Sequence, residues 1–173
     1  MLSTLDQYSA TLPPHEQAFM DNEVQELCEM MDDYTIVQDQ DLPKPVWDFI
    51  KEKGFLGMII PKKYGGLEFT AHGHSQVVTK LSTRCLSGAV SVSVPNSLGP
   101  AELLLRYGTE EQKDDFLPKL ATGKHLPCFA LTGPASGSDA ANMPDAGIVV
   151  ERDGVLGIVA SFNKRCTLGE IKF

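Results

Sequence analysis

The sequence contains no long apolar run. Its 173 residues nowhere hold the roughly 18 consecutive apolar residues that a membrane-spanning helix needs. The N-terminal stretch Met1–Asp6 also lacks the basic region followed by an apolar core that marks a secretory signal. We therefore expect a soluble, cytoplasmic chain, and leave membrane association of a full-length form open.

Cysteines are few and widely spaced. The chain has 4 cysteines, none of which forms a C-x-x-C pair with another. This spacing argues against a structural zinc site and against the disulfide framework of a small secreted domain, and it fits reduced thiols. His72 and His74 lie two positions apart without a third ligand nearby, so no metal site is predicted.

Basic residues are outnumbered by acidic ones. The sequence has 15 Lys and Arg against 23 Asp and Glu, a formal net charge of -8. This charge disfavours non-specific binding to nucleic acid or to an anionic membrane surface. The apolar fraction of 42% is typical of a globular protein rather than of a disordered chain. We therefore expect a folded, acidic protein with no nucleic-acid partner.

Helical periodicity runs through most of the chain. After a leader or linker over residues 1–14, the apolar spacing from His15 onward predicts a helix whose acidic residues lie on the solvent side. The segment Thr109-Glu110-Glu111-Gln112 is a capping box, which marks the start of another helix. An all-helical domain is therefore predicted over residues 15–127. Its five predicted helices cover His15–Met31, Pro43–Lys53, His72 to about Val94, Leu98–Tyr107 and Thr109–Gly123.

The character of the sequence changes after Pro127. Asp153-Gly154 lies between two runs of β-branched and apolar residues, a strong hairpin signal because both turn positions tolerate positive φ. A β-domain is therefore predicted over residues 128–173. Its strands are too few to cover or close a sheet, so we interpret the sequence as cut off inside this domain. The predicted fold class is α+β.

One loop carries the strongest functional signal. In Phe129–Ala140 an apolar, strand-like segment leads into small, hydroxyl-bearing and glycine-rich residues. Gly133 and Gly137 allow close backbone approach, and Ser138 offers a hydroxyl without bulk. A phosphate or the edge of a flavin would fit such a loop. Taken alone, the same residues also suit an ordinary connection from a strand to a turn.

This loop resembles the L-T-x-P-x-A-G-S-D signature of the acyl-coenzyme A dehydrogenases, although Gly133 and Ser136 depart from it. Several further matches occur in the same order along the chain, which is more specific than one glycine-rich loop. They resemble the large bacterial fatty-acid β-oxidation (FadE-type) branch of the family. The matching residues are Thr132, Pro134, Gly137, Ser138 and Asp139 in the loop, and the segments Gly57–Gly66, Val94–Pro100 and Tyr107–Lys113 before it.

The resemblance implies an architecture and a reaction. The family has an N-terminal helical domain, a barrel-like middle β-domain and a C-terminal helical bundle around FAD, and this sequence would be truncated before the bundle. The reaction introduces a 2,3-double bond into fatty acyl-CoA thioesters. Electron-transfer flavoprotein or a similar acceptor is the implied partner, and the complete protein would be a homo-oligomer. An oxidase that uses oxygen remains an alternative.

Five residues are implied to contact the cofactor. By resemblance Phe129, Leu131 and Thr132 lie along the flavin ring, and Ser138 lies where the flavin and the acyl-thioester substrate meet. A second family motif, Lys-x-aromatic-apolar-Thr, is matched only in part before Thr167, where an ordinary strand is the alternative.

No catalytic residue is assigned in this sequence. The family's glutamate base belongs to the later helical domain, so the fragment is expected to be inactive. Glu110 and Glu111 are better explained by the favourable start of a helix. The alternative function is a non-catalytic truncated homologue that acts as a helical interaction module.

Overall fold

The chain divides into two units, Met1–Pro127 and Cys128–Phe173. A computed structural model describes residues 11–127, 130–133, 137–139, 147–160, 163–166 and 169–172. Over these ranges the first unit is helical and the second is built from strands. None of the described helices is both long and apolar enough to cross a membrane.

Eight α-helices make up the described part of the first unit, three more than the five predicted. Two 3-10 turns, Phe55–Gly57 and Lys62–Tyr64, follow the fourth helix, and a π-helix, Val94–Leu98, joins the sixth to the seventh. The α-helices are α1 (Pro14–Asp21), α2 (Glu23–Met30), α3 (Asp33–Asp39), α4 (Lys44–Glu52), α5 (Ala71–Ser82), α6 (Leu86–Ser93), α7 (Pro100–Tyr107) and α8 (Glu110–Ala121).

The predicted helix over His15–Met31 is interrupted. α1 and α2 meet at Asn22, whose φ and ψ are -106° and -78°. The prediction of one continuous helix was therefore wrong. The apolar stripe itself is confirmed, because its members are buried. The placement of the acids on the solvent side was wrong for Glu16, which is fully buried. The buried stripe consists of Phe19, Val24, Leu27, Cys28 and Met31.

The predicted long helix from His72 to about Val94 is also two helices. α5 ends at Ser82, and the next residue, Thr83, donates its hydroxyl to the Lys80 carbonyl at 2.7 Å. α6 begins after Cys85, whose thiol accepts from the Gly88 amide at 3.4 Å. The apolar spacing passes through this break unchanged, so periodicity alone could not reveal it.

Two helices follow the sequence prediction closely. α4 begins directly after Pro43, and Gly54 beyond its end takes a φ of 78°. At the start of α8 the Thr109 hydroxyl accepts from the Gln112 amide at 3.2 Å. The Gln112 side chain accepts from the Thr109 amide at 3.0 Å, so the predicted capping box is confirmed.

Two clusters of buried side chains hold the helical unit together. In the larger cluster the Phe55 ring packs against Phe19 and Phe49, with centroid separations of 4.8 and 6.2 Å. The smaller cluster joins the turn around Tyr64 to α7 and α8 through Leu117 and neighbouring residues. Each large apolar side chain buried in this way contributes about 1.5–3 kcal/mol of transfer free energy.

The second unit contains two antiparallel sheets within its described residues. In the two-stranded sheet, Asp153 and Gly154 have φ values of 54° and 76°, which confirms the predicted hairpin turn. The other sheet has the order β1-β4-β5. The barrel-like continuation of this unit stays a prediction. The strands are β1 (Ala130–Thr132), β2 (Gly147–Arg152), β3 (Val155–Ala160), β4 (Asn163–Cys166) and β5 (Gly169–Lys172).

Candidate functional site

The two segments predicted to bind a cofactor lie on neighbouring strands. β1 carries Leu131 and Thr132, and β4 ends one residue before Thr167. β1 and β4 are antiparallel, with Ala130 opposite Cys166. Segments that are distant in sequence therefore meet side by side in one sheet.

The pairing of β1 with β4 contains an irregularity. Ala130 lies opposite Cys166 and Thr132 opposite Arg165, so β1 advances two residues while β4 advances one. The extra residue on β1 is Leu131. A bulge bends its strand, leaves the extra residue out of the ladder and is common beside functional sites. The irregularity thus coincides with one of the predicted flavin contacts.

The loop that follows β1 returns beside Thr132. A Cβ placed on Gly137 would lie 3.9 Å from Cγ2 of Thr132, in ordinary van der Waals contact. Thr132, Ser138 and Asp139 are exposed, whereas Gly137 is half-buried. Gly137 therefore lies close to Thr132, and both Thr132 and Ser138 carry exposed hydroxyl-bearing side chains.

This arrangement fits the polar edge of a flavin. The hydroxyls of Thr132 and Ser138 can each donate and accept, and a bulge leaves backbone groups outside the strand ladder. The donors and acceptors present are thus compatible with FAD.

Three of the five predicted cofactor contacts lie in the described part of this site. Leu131 and Thr132 belong to β1, and Ser138 follows Gly137, which lies near Thr132. Phe129 and Thr167 lie outside the described residues. The roles of all five in binding stay predictions.

A buried asparagine organises the helical unit in a way that the sequence did not reveal. Asn96 is 1% exposed and donates to the carbonyls of Phe55 and Val92 at 2.7 and 2.8 Å. Its side-chain oxygen accepts from the Ile59 amide at 3.3 Å. Asn96 therefore ties the π-helix to the turn after α4. The sequence feature that could have pointed to Asn96 was its position inside the segment Val94–Pro100, which matches the family.

A buried glutamate has a second organising role. The carboxylate of Glu16 accepts from the Thr70 amide at 2.6 Å and from the Thr70 hydroxyl at 2.9 Å. That hydroxyl in turn accepts from the Gly73 amide at 3.0 Å and caps α5. A Cβ on Gly73 would collide with the carboxylate. Glu16 lies three residues before the buried Phe19, and this helical spacing could have predicted that Glu16 faces the same side of the helix.

Comparison with known proteins agrees with the helical fold. The family model described as "Acyl-CoA dehydrogenase, N-terminal domain" matches residues 15–124. The human very long-chain specific acyl-CoA dehydrogenase, mitochondrial, is 35% identical over 97 residues, which are 56% of this chain and 15% of that protein.

Solved structures share the fold. The acyl-CoA dehydrogenase from Geobacillus kaustophilus has a TM-score of 0.68 and 27% identity, over 89% of this chain and 40% of that one. A chain in the structure of the electron transferring flavoprotein of Acidaminococcus fermentans has a TM-score of 0.69 and 25% identity, over 90% of this chain and 40% of that one. The chain thus spans less than half the length of these relatives. From the family match and the helical fold together, the chain belongs to the acyl-CoA dehydrogenase family, whose N-terminal domain it contains.

Proposed function

We propose that this chain is the N-terminal part of an FAD-dependent enzyme that introduces a 2,3-double bond into fatty acyl-CoA thioesters in β-oxidation. Membership of the family supports the general activity. The name of the human relative, a very long-chain specific acyl-CoA dehydrogenase, supports acyl-CoA as the substrate class. The observation that carries the cofactor proposal is the pairing of β1 with β4.

The residues around β1 have defined roles in this proposal. The Thr132 hydroxyl and the backbone of the bulge at Leu131 hold the polar edge of FAD, and Phe129 and Thr167 complete the contact with the ring. Ser138 binds at the junction of FAD and the thioester. When bound, FAD supplies the acceptor for the hydride that leaves the substrate.

In our proposal this chain does not supply the group that accepts the proton from the substrate. Removing the C2 proton of a thioester calls for a carboxylate whose pKa lies near the working pH. The Lys113 ammonium bonds to Glu110 at 2.8 Å and lowers the pKa of that carboxyl, which makes Glu110 a poor base. The 173-residue chain is therefore proposed to be inactive by itself.

The second unit and the partners complete the proposal. Residues 128–173 are the first strands of the family's middle β-domain, after the helical domain over 15–127. The likeness to a chain in an electron transferring flavoprotein structure supports such a flavoprotein as the electron acceptor. A homo-oligomer is proposed for the complete enzyme.

Flavin titration of the 173-residue chain tests the cofactor proposal. Thr132→Val keeps the β-branched shape and removes one hydroxyl, so we expect about fivefold weaker FAD binding from the loss of one hydrogen bond of about 1 kcal/mol. Thr79→Val is the matched control, because its hydroxyl bonds to the Ser75 carbonyl of its own helix. Absence of FAD uptake, or equal affinities for wild type and Thr132→Val, would refute the proposal.

A non-catalytic helical interaction module is the alternative function. The observation that favours it is the exposure of Leu103 and Tyr107, one turn apart on α7, at 62% and 79%. Exposed apolar residues in a cluster are typical of contact surfaces. Stoichiometric FAD in a preparation of the protein would exclude this alternative, whereas a stable complex formed without any FAD would favour it.

A further inference from the structure

A pocket of about 650 Å³ lies in the helical unit between α4 and the segment that follows α8. Its volume is within the range of about 300–1,000 Å³ that is usual for small-molecule sites. The residues that line it all precede the strands of the proposed FAD site, so the two sites share no residue. On α4 the wall is one stripe of residues at helical spacing, Lys44, Trp47, Asp48 and Lys51.

Trp47 gives the pocket a flat apolar surface whose orientation is fixed. Its side chain is half-buried and packs against the larger cluster of buried side chains. The indole Nε1 donates to Oδ1 of Asp41 at 3.1 Å, and the same oxygen accepts from the Leu42 amide at 2.7 Å. A ring that is already held in place loses little freedom when a second ring stacks on it. Trp47 therefore suits an aromatic ligand.

The charged side chains of the pocket leave an excess of positive charge. Lys44 and Asp48 pair with each other. Lys51 and Lys124 are exposed, and neither forms an ion pair with a carboxylate in the part of the chain that the structure describes. With Asp41 included, three lysines line the pocket against two aspartates, an excess of one positive charge. This local excess stands out in a chain whose formal net charge is -8.

The stem of Lys51 runs close to the segment that carries Lys124. A Cβ placed on Gly123 would lie 3.0 Å from Cγ and 3.5 Å from Cδ of Lys51. Gly123 has a φ of 68° and no side chain, so it lets the lysine stem pass along this wall. Two ammonium groups from separate elements can therefore approach one anionic group in the pocket.

We propose that this pocket binds a small planar aromatic molecule that carries one carboxylate. The ring stacks on Trp47, and the carboxylate lies between the ammonium groups of Lys51 and Lys124. One negative charge matches the excess of one positive charge in the wall. A cationic ligand would be repelled by both lysines, and a dianion would exceed the positive charge and meet the carboxylate of Asp41.

The single tryptophan of the chain makes the test specific, because one indole N–H signal in a nitrogen-15 NMR spectrum reports on this pocket. Three probes are titrated into the 173-residue chain: benzoate, its neutral analogue benzamide, and acetate, which has the charge without the ring. We expect benzoate to bind about fivefold more tightly than benzamide, the effect of an exposed ion pair, and acetate to leave the signal in place. The proposal is overturned if benzoate binds no more tightly than benzamide, or if acetate shifts the signal as strongly as benzoate.

Variants locate the effect. Lys51→Met keeps an apolar stem beside Gly123 and removes the ammonium group, so most of the preference for benzoate over benzamide should be lost. Lys124→Met should have the same effect from the other wall. Lys62→Met, at an exposed position that does not line the pocket, is the matched control and should retain the preference.

Benzamide binding in each variant shows that the pocket is still formed. A preference for benzoate that survives in both Lys51→Met and Lys124→Met, or that is lost equally in Lys62→Met, contradicts the proposal. FAD plays no part in these titrations, so failure here is separate from failure of the proposed function.

Discussion

Replacing Glu16 should destabilise the helical unit more than replacing any exposed acid. Its carboxylate is fully buried and accepts two hydrogen bonds from Thr70, which itself caps α5. Hydrogen bonds to a charged group contribute about 1.5–3 kcal/mol each, and a donor left buried without a partner adds a penalty. Glu16→Ala should therefore cost about 3–5 kcal/mol, a large share of the roughly 5–15 kcal/mol that is typical of a domain.

Urea unfolding followed by far-ultraviolet circular dichroism measures this loss. Glu16→Gln keeps the volume but turns an amide nitrogen toward a donor, so its free energy of unfolding should fall between those of the wild type and Glu16→Ala. Glu26→Ala, at an exposed position of α2, is the control and should stay within about 0.5 kcal/mol of wild type. A Glu16→Ala variant that loses less than about 1 kcal/mol would refute the role of this carboxylate.

Three further predictions concern the helical unit. Asn96→Asp should lower the free energy of unfolding by about 3–5 kcal/mol, because a carboxylate would then face the carbonyls of Phe55 and Val92. Chemical denaturation that shows no loss of stability would contradict this prediction. Burial lowers the pKa of His74, so the unfolded chain binds the proton more readily and stability should fall as pH drops below about 6.5. His74→Leu should flatten that part of the pH profile, and an unchanged profile would contradict the assignment. Thr109→Ala should cost about 1 kcal/mol through loss of the cap of α8, whereas Thr79→Val on α5, away from any helix start, should cost less in the same melt.

Features that depend on neighbouring residues could be predicted from the sequence. The capping box at Thr109 and the Asp153-Gly154 turn are decided within a few residues, and both are confirmed. The helix breaks at Asn22 and between α5 and α6 could not be predicted. The apolar stripe continues across both breaks, and the spacing of apolar residues reports only that stripe. Local hydrogen bonds at Thr83 and Cys85 accompany the second break.

Features that depend on distant partners could not be predicted from periodicity. Glu16 resembles any acid in the first turn of a helix until Thr70 is brought against it by the fold. The same limit applies to the candidate site. The loop after Leu131 could be identified because its residues are contiguous, whereas its pairing with β4 depends on a register that no local pattern specifies.

Hydrogen exchange on the 173-residue chain, with and without FAD, tests most directly whether β1 and β4 form one flavin-binding surface. Amides that gain a bound ligand open less often and exchange more slowly. We predict that FAD slows exchange in residues 130–133 and 163–166 together and leaves the hairpin of β2 and β3 unchanged. Slower exchange confined to the hairpin, or no change in either β1 or β4 at an FAD concentration that saturates binding, would contradict the account.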